Sequence, residues 1–447
     1  MPRGRHRLMS HPRRSPLAPV SRLGPAIAQA APGIDPVMIA AIGVLAVLGV
    51  MNLVAVGDSS LALHQSVAVV LGLLVMLWAW RTPGRWWPWL GRLAYAGSVL
   101  LLLGVAAHGV EAYGAKRWLD IGSFVLQPSE LAELGLALVL AEVMSRRGWR
   151  ERTRVGMALL LTMIPVGLTL LEPDLSTSAL LVLIALAALV LGRVRWRVIG
   201  GLGVLGLVLL PVGLHFLRPY QLARLHSFLS GAGGSGGGFT LEQAHIAIAS
   251  GGLLGIGHST IAHLLASYLP ARETDLAFAS LIEQYGLVAG ALALGAAALL
   301  TWRLASAAAS ARTPQVALMA GIMAVLVGGE VVLSAGGNLG LLPLAGVPIP
   351  FLAYGGTVTV AHLAAFGVIL GGRGDTEQVQ DLGLQGAELG LEGLDGVAVA
   401  EEQVASKPAE DGEDASGRWS AARAVLGIEG KLGEVAALHG LADLPLE

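Results

Sequence analysis

The sequence contains no cysteine, which excludes disulfides, thiolate catalysis and thiolate metal sites. Charge is nearly as scarce. Asp, Glu, Lys and Arg make up 13% of the residues, against about 25% in a typical soluble domain. Apolar residues reach 54% and the mean hydropathy is +0.69. So little polar matter cannot coat a water-facing surface on a chain of 447 residues; lipid must cover the rest. An ordinary soluble domain is excluded.

What is present divides into three regions. Residues 1–33 carry Arg3, Arg5, Arg7, Arg13, Arg14 and Arg22 and no acid. Without a short apolar core and a small-residue cleavage site, they read as a retained cytoplasmic arm. Residues 34–370 form the membrane domain, an all-α polytopic unit of about ten transmembrane helices. Apolar runs near 34–56, 60–80, 89–109, 127–145, 155–172, 174–192, 198–217, 277–301, 315–335 and 348–370 each approach the roughly 20 residues a span needs. They are too continuous for the alternation of a membrane barrel. Residues 371–447 hold 16 acidic and 5 basic side chains and read as an acidic, disordered cytoplasmic tail.

The arginines orient the spans. With the N-terminus inside, the inner segments ahead of the tail hold nineteen arginines, and the outer loops hold only Lys116, Arg117, Arg218, Arg224 and Arg272. That asymmetry predicts an even number of spans with both termini cytoplasmic. It also requires the run 155–192 to be two spans joined by a tight outer turn at Glu172, Pro173 and Asp174.

Several polar clusters then fall on the outer side. Lys116 and Arg117 stand in an unfavoured location for adjacent cations, which phosphate binding explains and which capping plus an interfacial Trp118 explains more plainly. Glu130 and Glu133, three residues apart, share one helix face and repel unless protonated, paired or wet. Asp174 suits a helix cap. The loop 218–276, ahead of the eighth span, is long enough to be a functional hint by itself. It contains Arg218, Arg224, a glycine-rich run at 231–238 with no phosphate-loop lysine, and a small-residue stretch at 244–256 fit for a shallow or re-entrant helix. It ends in Arg272, Glu273 and Asp275, where Asp275 is either a cap or a carboxylate placed to take a proton. Prolines 343, 348 and 350 and the glycine pair 355–356 predict broken backbone lining protein or water. His245, His258 and His263 make a poor metal set.

In this order the stretches YGAKRWLDIG with QPSEL, EPDLSTSALL, RPYQLARLHSFL, IAIASGGLLGIG, LPARETDLAFASLIEQYGLVAG and LLPLAGVPIPFLAYGG carry a resemblance. Together they resemble the shape, elongation, division and sporulation family, the integral-membrane peptidoglycan glycosyltransferases of bacteria. The resemblance implies ten spans in the cytoplasmic membrane and polymerisation of a lipid-linked disaccharide-pentapeptide at the outer face. It also implies a single-pass class B penicillin-binding transpeptidase as partner, among other elongation or division proteins, and no nucleic acid. It places the essential aspartate at Asp275, a second catalytic carboxylate at Glu130, and the substrate-binding cations at Lys116, Arg117, Arg218 and Arg224. A divalent cation, Mg or Mn, is admitted as help with the diphosphate charge; its ligands are unknown.

This chain also departs from the family pattern. Glu133 stands where a lysine is usual, Glu273 where a histidine is usual, and the asparagine ahead of the LLP segment is read at Ser334. A lipid-precursor flippase or transporter, and a catalytically weakened scaffold for wall-synthesis partners, are the competing functions.

Overall fold

A computed structural model of the chain describes residues 35–112, 115–121, 124–215, 221–222, 228, 237–257 and 269–372. The chain divides into a unit of residues 1–378 and one of 379–447, and everything described lies in the first. The basic arm 1–33, the acidic tail beyond 372, and Arg218, Arg224, His258 and His263 fall outside the described residues.

Local sequence signals start the helices. Asp35 accepts the Met38 amide at 3.1 Å, with Pro36 in the first turn of α1 (Pro36–Ala55). Asp58 caps α2 (Ser59–Arg81) through the Leu61 amide at 3.0 Å, and that bond holds its carboxyl below the ordinary value. α3 spans Trp87–His108. Three short strands follow, β1 (Val110–Ala112), β2 (Ala115–Ile121) and β3 (Phe124–Leu126), paired antiparallel in sequence order. Then come α4 (Pro128–Ser145), α5 (Glu151–Leu171), α6 (Leu175–Leu191) and α7 (Trp196–His215). The rest are α8 (Gly237–Gly251), α9 (Ala277–Ser310), α10 (Pro314–Asn338) and α11 (Gly356–Gly372).

A helix therefore occupies each of the ten apolar runs. Among the described residues six helices are long and apolar enough to cross a membrane, and α6, most of α7, and α11 are shorter apolar helices. α4 carries three glutamates, Glu130, Glu133 and Glu142, yet its other side chains are largely buried among α3, α5, α6 and α10. Large apolar side chains such as Leu63, Leu100, Leu207 and Trp196 stand exposed on the outside, a surface suited to lipid. The protein is a multi-pass membrane protein. The sheet was not expected from an all-α reading. Its strands are too short, at three, seven and three residues, to stand out from an ordinary loop.

The interior proline of α5 is accommodated by a partner. Pro165 has no amide hydrogen, so the carbonyl of Leu161 loses its helical donor. The Tyr95 hydroxyl, from α3, donates to that carbonyl at 2.7 Å. The run 155–192 is indeed two helices, separated by the turn Glu172–Asp174 with Pro173 at φ 26°. Asp174 caps α6, accepting from the Thr177 amide at 3.3 Å and its hydroxyl at 3.0 Å.

α9 is the central element, packing on α1, α8 and α10. It breaks at Gly286, where φ is 81° and ψ 175°. The chain leaving α8 pairs with the freed backbone: Ile256 donates to the Glu283 carbonyl at 3.0 Å, and Leu287 donates to the Gly252 carbonyl at 2.9 Å. The approach demands glycine. A Cβ at Gly255 would lie 2.2 Å from the Gln284 carbonyl oxygen, and one at Gly286 2.2 Å from that of Leu253. Of the stretch 244–256, residues up to Gly251 lie in α8, which is buried through Ala244 and Ala247 against Leu269, Leu276 and Ala279.

Candidate active site

The two ends of the bundle differ in chemistry. One collects arginines: Arg303 pairs with Asp35 at 2.5 Å, Arg92 and Arg146 both pair with Glu142, and Arg154 donates to the Met144 carbonyl at 3.1 Å. The other is joined by polar crosslinks among segments distant in sequence.

Asp275 lies in a series of tight turns ahead of α9. Leu276 donates to the Ala271 carbonyl at 3.0 Å, and Ala271 has φ 47°. The N-cap of α9 is Leu276, whose side chain makes no capping hydrogen bond, and Asp275 immediately precedes it. Three elements hold this turn. Asn338, at the end of α10, donates from Nδ2 to the Asp275 carbonyl at 2.9 Å and accepts the Ala279 amide at 3.1 Å. The Tyr354 amide donates to the Glu273 carbonyl at 2.7 Å. On α1, Asn52 donates to the Ala277 carbonyl at 3.3 Å and accepts from the Ser280 hydroxyl at 3.0 Å.

Tyr354 opens the turn that leads into α11, and this turn ties in two further elements. The Gly355 amide donates to Gln65 Oε1 at 3.1 Å, and Gln65 Nε2 donates to the Thr359 hydroxyl at 3.1 Å. The Gln127 amide, just before α4, donates to the Thr357 hydroxyl at 3.4 Å. Glu130 follows in the first turn of α4, against the Val358 amide. Pro128 occupies the first position of α4.

Glu133 is 4% exposed, so the like-charge problem raised by the sequence is real. Its setting contains a further carboxyl, Glu330 on α10, and an imidazole, His362 on α11. His362 Nε2 lies 3.1 Å from Glu330 Oε2, and both side chains are 3% exposed.

The turn 172–174 faces β2. Arg117 donates to the Pro173 carbonyl at 2.7 Å and lies 3.8 Å from the Asp174 carboxylate. Gln221 Nε2 donates to the same carbonyl at 3.1 Å. Both carboxylate oxygens of Glu172 are buried without a hydrogen-bond partner. Burial, with the like charge of Asp174 adding and Arg117 opposing, pushes the Glu172 carboxyl up to about 8 from 4.5. Lys116 is placed by its backbone alone, opposite Glu111 in the β1–β2 ladder. Among the described residues no three His, Asp or Glu side chains are grouped to hold a metal ion.

The structure thus links Asp275 to the entrance of α4, which carries Glu130, and attaches Arg117 to the turn 172–174. It does not bring Arg117 to Asp275 directly. The sequence reading missed Asn52, Gln65, Glu330, Asn338 and His362. Of the polar groups near the LLP segment it singled out Ser334, whereas Asn338 is the side chain that grips the Asp275 turn. Polar residues inside apolar spans were the available signal.

Comparison with known proteins adds a family. The FtsW, RodA and SpoVE description, "Cell cycle protein", matches residues 34–373. The peptidoglycan glycosyltransferase MrdB of Escherichia coli K12 is 36% identical over 311 residues, covering 68% of this chain and 82% of that protein. A probable peptidoglycan glycosyltransferase FtsW of Coxiella burnetii is 34% identical over 320 residues, covering 69% and 85%. Among solved structures, one from a study of polymerisation and crosslinking by a peptidoglycan synthase complex is similar, with TM-score 0.67 and 31% identity over 76% of this chain and 98% of that one. The rod shape determining protein RodA of Thermus thermophilus is also similar, with TM-score 0.57 and 29% identity over 77% and 98%.

Proposed function

The chain belongs to the FtsW, RodA and SpoVE family of cell cycle proteins, and from that premise we propose how its site works. It is a peptidoglycan glycosyltransferase of cell elongation or division. Its substrate in this reading is a polyprenyl-linked disaccharide-pentapeptide, polymerised at the outer face of the cytoplasmic membrane with both chain termini inside. The arginine-rich end opposite the site supports that orientation.

In the proposed step, the acceptor sugar hydroxyl gives its proton to the Asp275 carboxylate as its oxygen attacks the anomeric carbon of the donor. The bond from that carbon to the diphosphate breaks, and the polyprenyl diphosphate leaves with the electron pair. Lys116, Arg117, Arg218 and Arg224 are the cations assigned to offset the leaving charge. Glu130 is the second carboxylate of the site. The supporting observation is that Asp275 sits on a backbone fixed by Asn338, Asn52 and Tyr354. A general base needs such positioning, because misplacement weakens proton transfer.

Among the described residues no three His, Asp or Glu side chains group as metal ligands. A divalent cation brought by the diphosphate is a separate proposal, tested by chelation and readdition. We extend the partnership to a single-pass class B penicillin-binding transpeptidase, in keeping with the synthase complex to which one similar structure belongs. Purified protein with labelled lipid-linked substrate, with and without that partner and Mg or Mn, should yield glycan polymer on a gel. Movement of labelled lipid across vesicles without polymer would instead mark a flippase. Partner binding without polymer would mark a scaffold.

A further inference from the structure

Glu133, Glu330 and His362 have no task in the step above, yet all are almost fully buried. The His362 ring is fixed on every side. Nδ1 lies 2.9 Å from the Val358 carbonyl oxygen, an atom that only accepts, so Nδ1 carries a proton. Nε2 lies 3.1 Å from Glu330 Oε2, a hydrogen bond that needs a second proton on one of those two atoms. Phe351 and Phe366 stand edge-on to the ring, at centroid distances of 6.2 and 6.1 Å.

The groups acting on Glu130 are His362 and the Val358 amide of α11, Glu330 of α10, and Asp174 of the turn 172–174. Those acting on Glu133 are Glu330, Glu130 and Asp174. Asp174 is already engaged by Arg117 and by the start of α6. Glu130 and Glu133 of α4 therefore both feel the carboxylate of Glu330 on α10, which His362 of α11 contacts at 3.1 Å; the basic side chains among these named groups are His362 and Arg117, and Arg117 pairs with Asp174. Buried carboxyls without a compensating charge cost several kcal/mol in such surroundings.

We propose that His362 is a positioning residue: its imidazolium holds Glu330 of α10 directly and Glu130 of α4 through its charge. In doing so it locks the first turn of α4 to the turn of Tyr354–Thr357, which also grips the Asp275 segment. The charge missing from α4 because position 133 is a glutamate is thus supplied by the last helix. This inference rests on the glycosyltransfer reading for its activity readout.

The test is a charge-relocation cycle of wild type, His362→Gln, Glu133→Lys and the double variant, each in nanodiscs with the transpeptidase partner. Gln keeps a donor but cannot be charged; Lys restores a cation from α4. His362→Gln should lower polymer yield about tenfold or more, and adding Glu133→Lys should bring it back to within about threefold of wild type. A residue that only fills space gives losses that add. Additive losses, or an unaffected His362→Gln protein, would overturn the proposal. Thermal midpoints of the same four proteins give a second reading: recovery in the double variant supports the cluster, and additivity contradicts it. If wild type makes no polymer, the functional reading fails, while the midpoints still decide the role of His362.

Discussion

Asn338 grips the Asp275 turn at two points, donating to the Asp275 carbonyl at 2.9 Å and accepting the Ala279 amide at 3.1 Å. One amide side chain at the end of α10 thereby spans the last turn before α9 and its first turn. A side chain bearing both a donor and an acceptor is required, which makes Asn338 hard to replace.

Asn338→Asp preserves shape and acceptor but removes the donor. Leaving a buried acceptor unmatched costs about 1–3 kcal/mol, and a displaced Asp275 reduces turnover further. The expected result is at least a roughly tenfold loss of polymer yield. The substrate KM should change little, because Asn338 holds the base and not the diphosphate. Steady-state kinetics on the variant and wild type check this.

Gly286→Ala tests the break in α9. The residue sits at φ 81°, and an added methyl would lie 2.2 Å from the Leu253 carbonyl oxygen. Strained backbone of this kind costs on the order of 1–3 kcal/mol before the clash is counted. The folded yield and thermal midpoint should fall sharply. A midpoint equal to wild type would mean that the α8–α9 pairing is dispensable.

Glu172 provides a pH prediction. Its carboxyl is pushed up to about 8 from 4.5, so the folded chain holds a proton that the unfolded chain releases. Stability attributable to this group is then greatest below about pH 4.5 and is lost as pH rises to about 8. Glu172→Gln should flatten that decline, raising the midpoint by a few degrees at pH 8 and little at pH 5. Parallel midpoint curves for variant and wild type would contradict the assignment.

Much of the fold was legible in the sequence because lipid imposes long apolar runs and basic residues collect between them. The split at Pro173 was required by the arginines at 193, 195 and 197, and Asp174 is the cap its type implied. The site was legible only in part. Asp275, Glu130 and Arg117 announce themselves as charges at span ends. Asn52, Gln65 and Asn338 act through backbone groups of partners 225 to 290 residues away or 63 away, distances over which no local pattern operates. The three short strands were missed because pairing, not composition, defines them. His362 was not singled out in the sequence; the packing of α10 beside α11 gives it Glu330.

The most direct test of the account is the base itself. Asp275→Asn, purified with the transpeptidase partner and shown by its thermal midpoint to be folded, is supplied with labelled lipid-linked disaccharide-pentapeptide, and the products are resolved on a gel. The account predicts that the variant binds partner and substrate and makes essentially no glycan polymer. Polymer at the wild-type rate would contradict it.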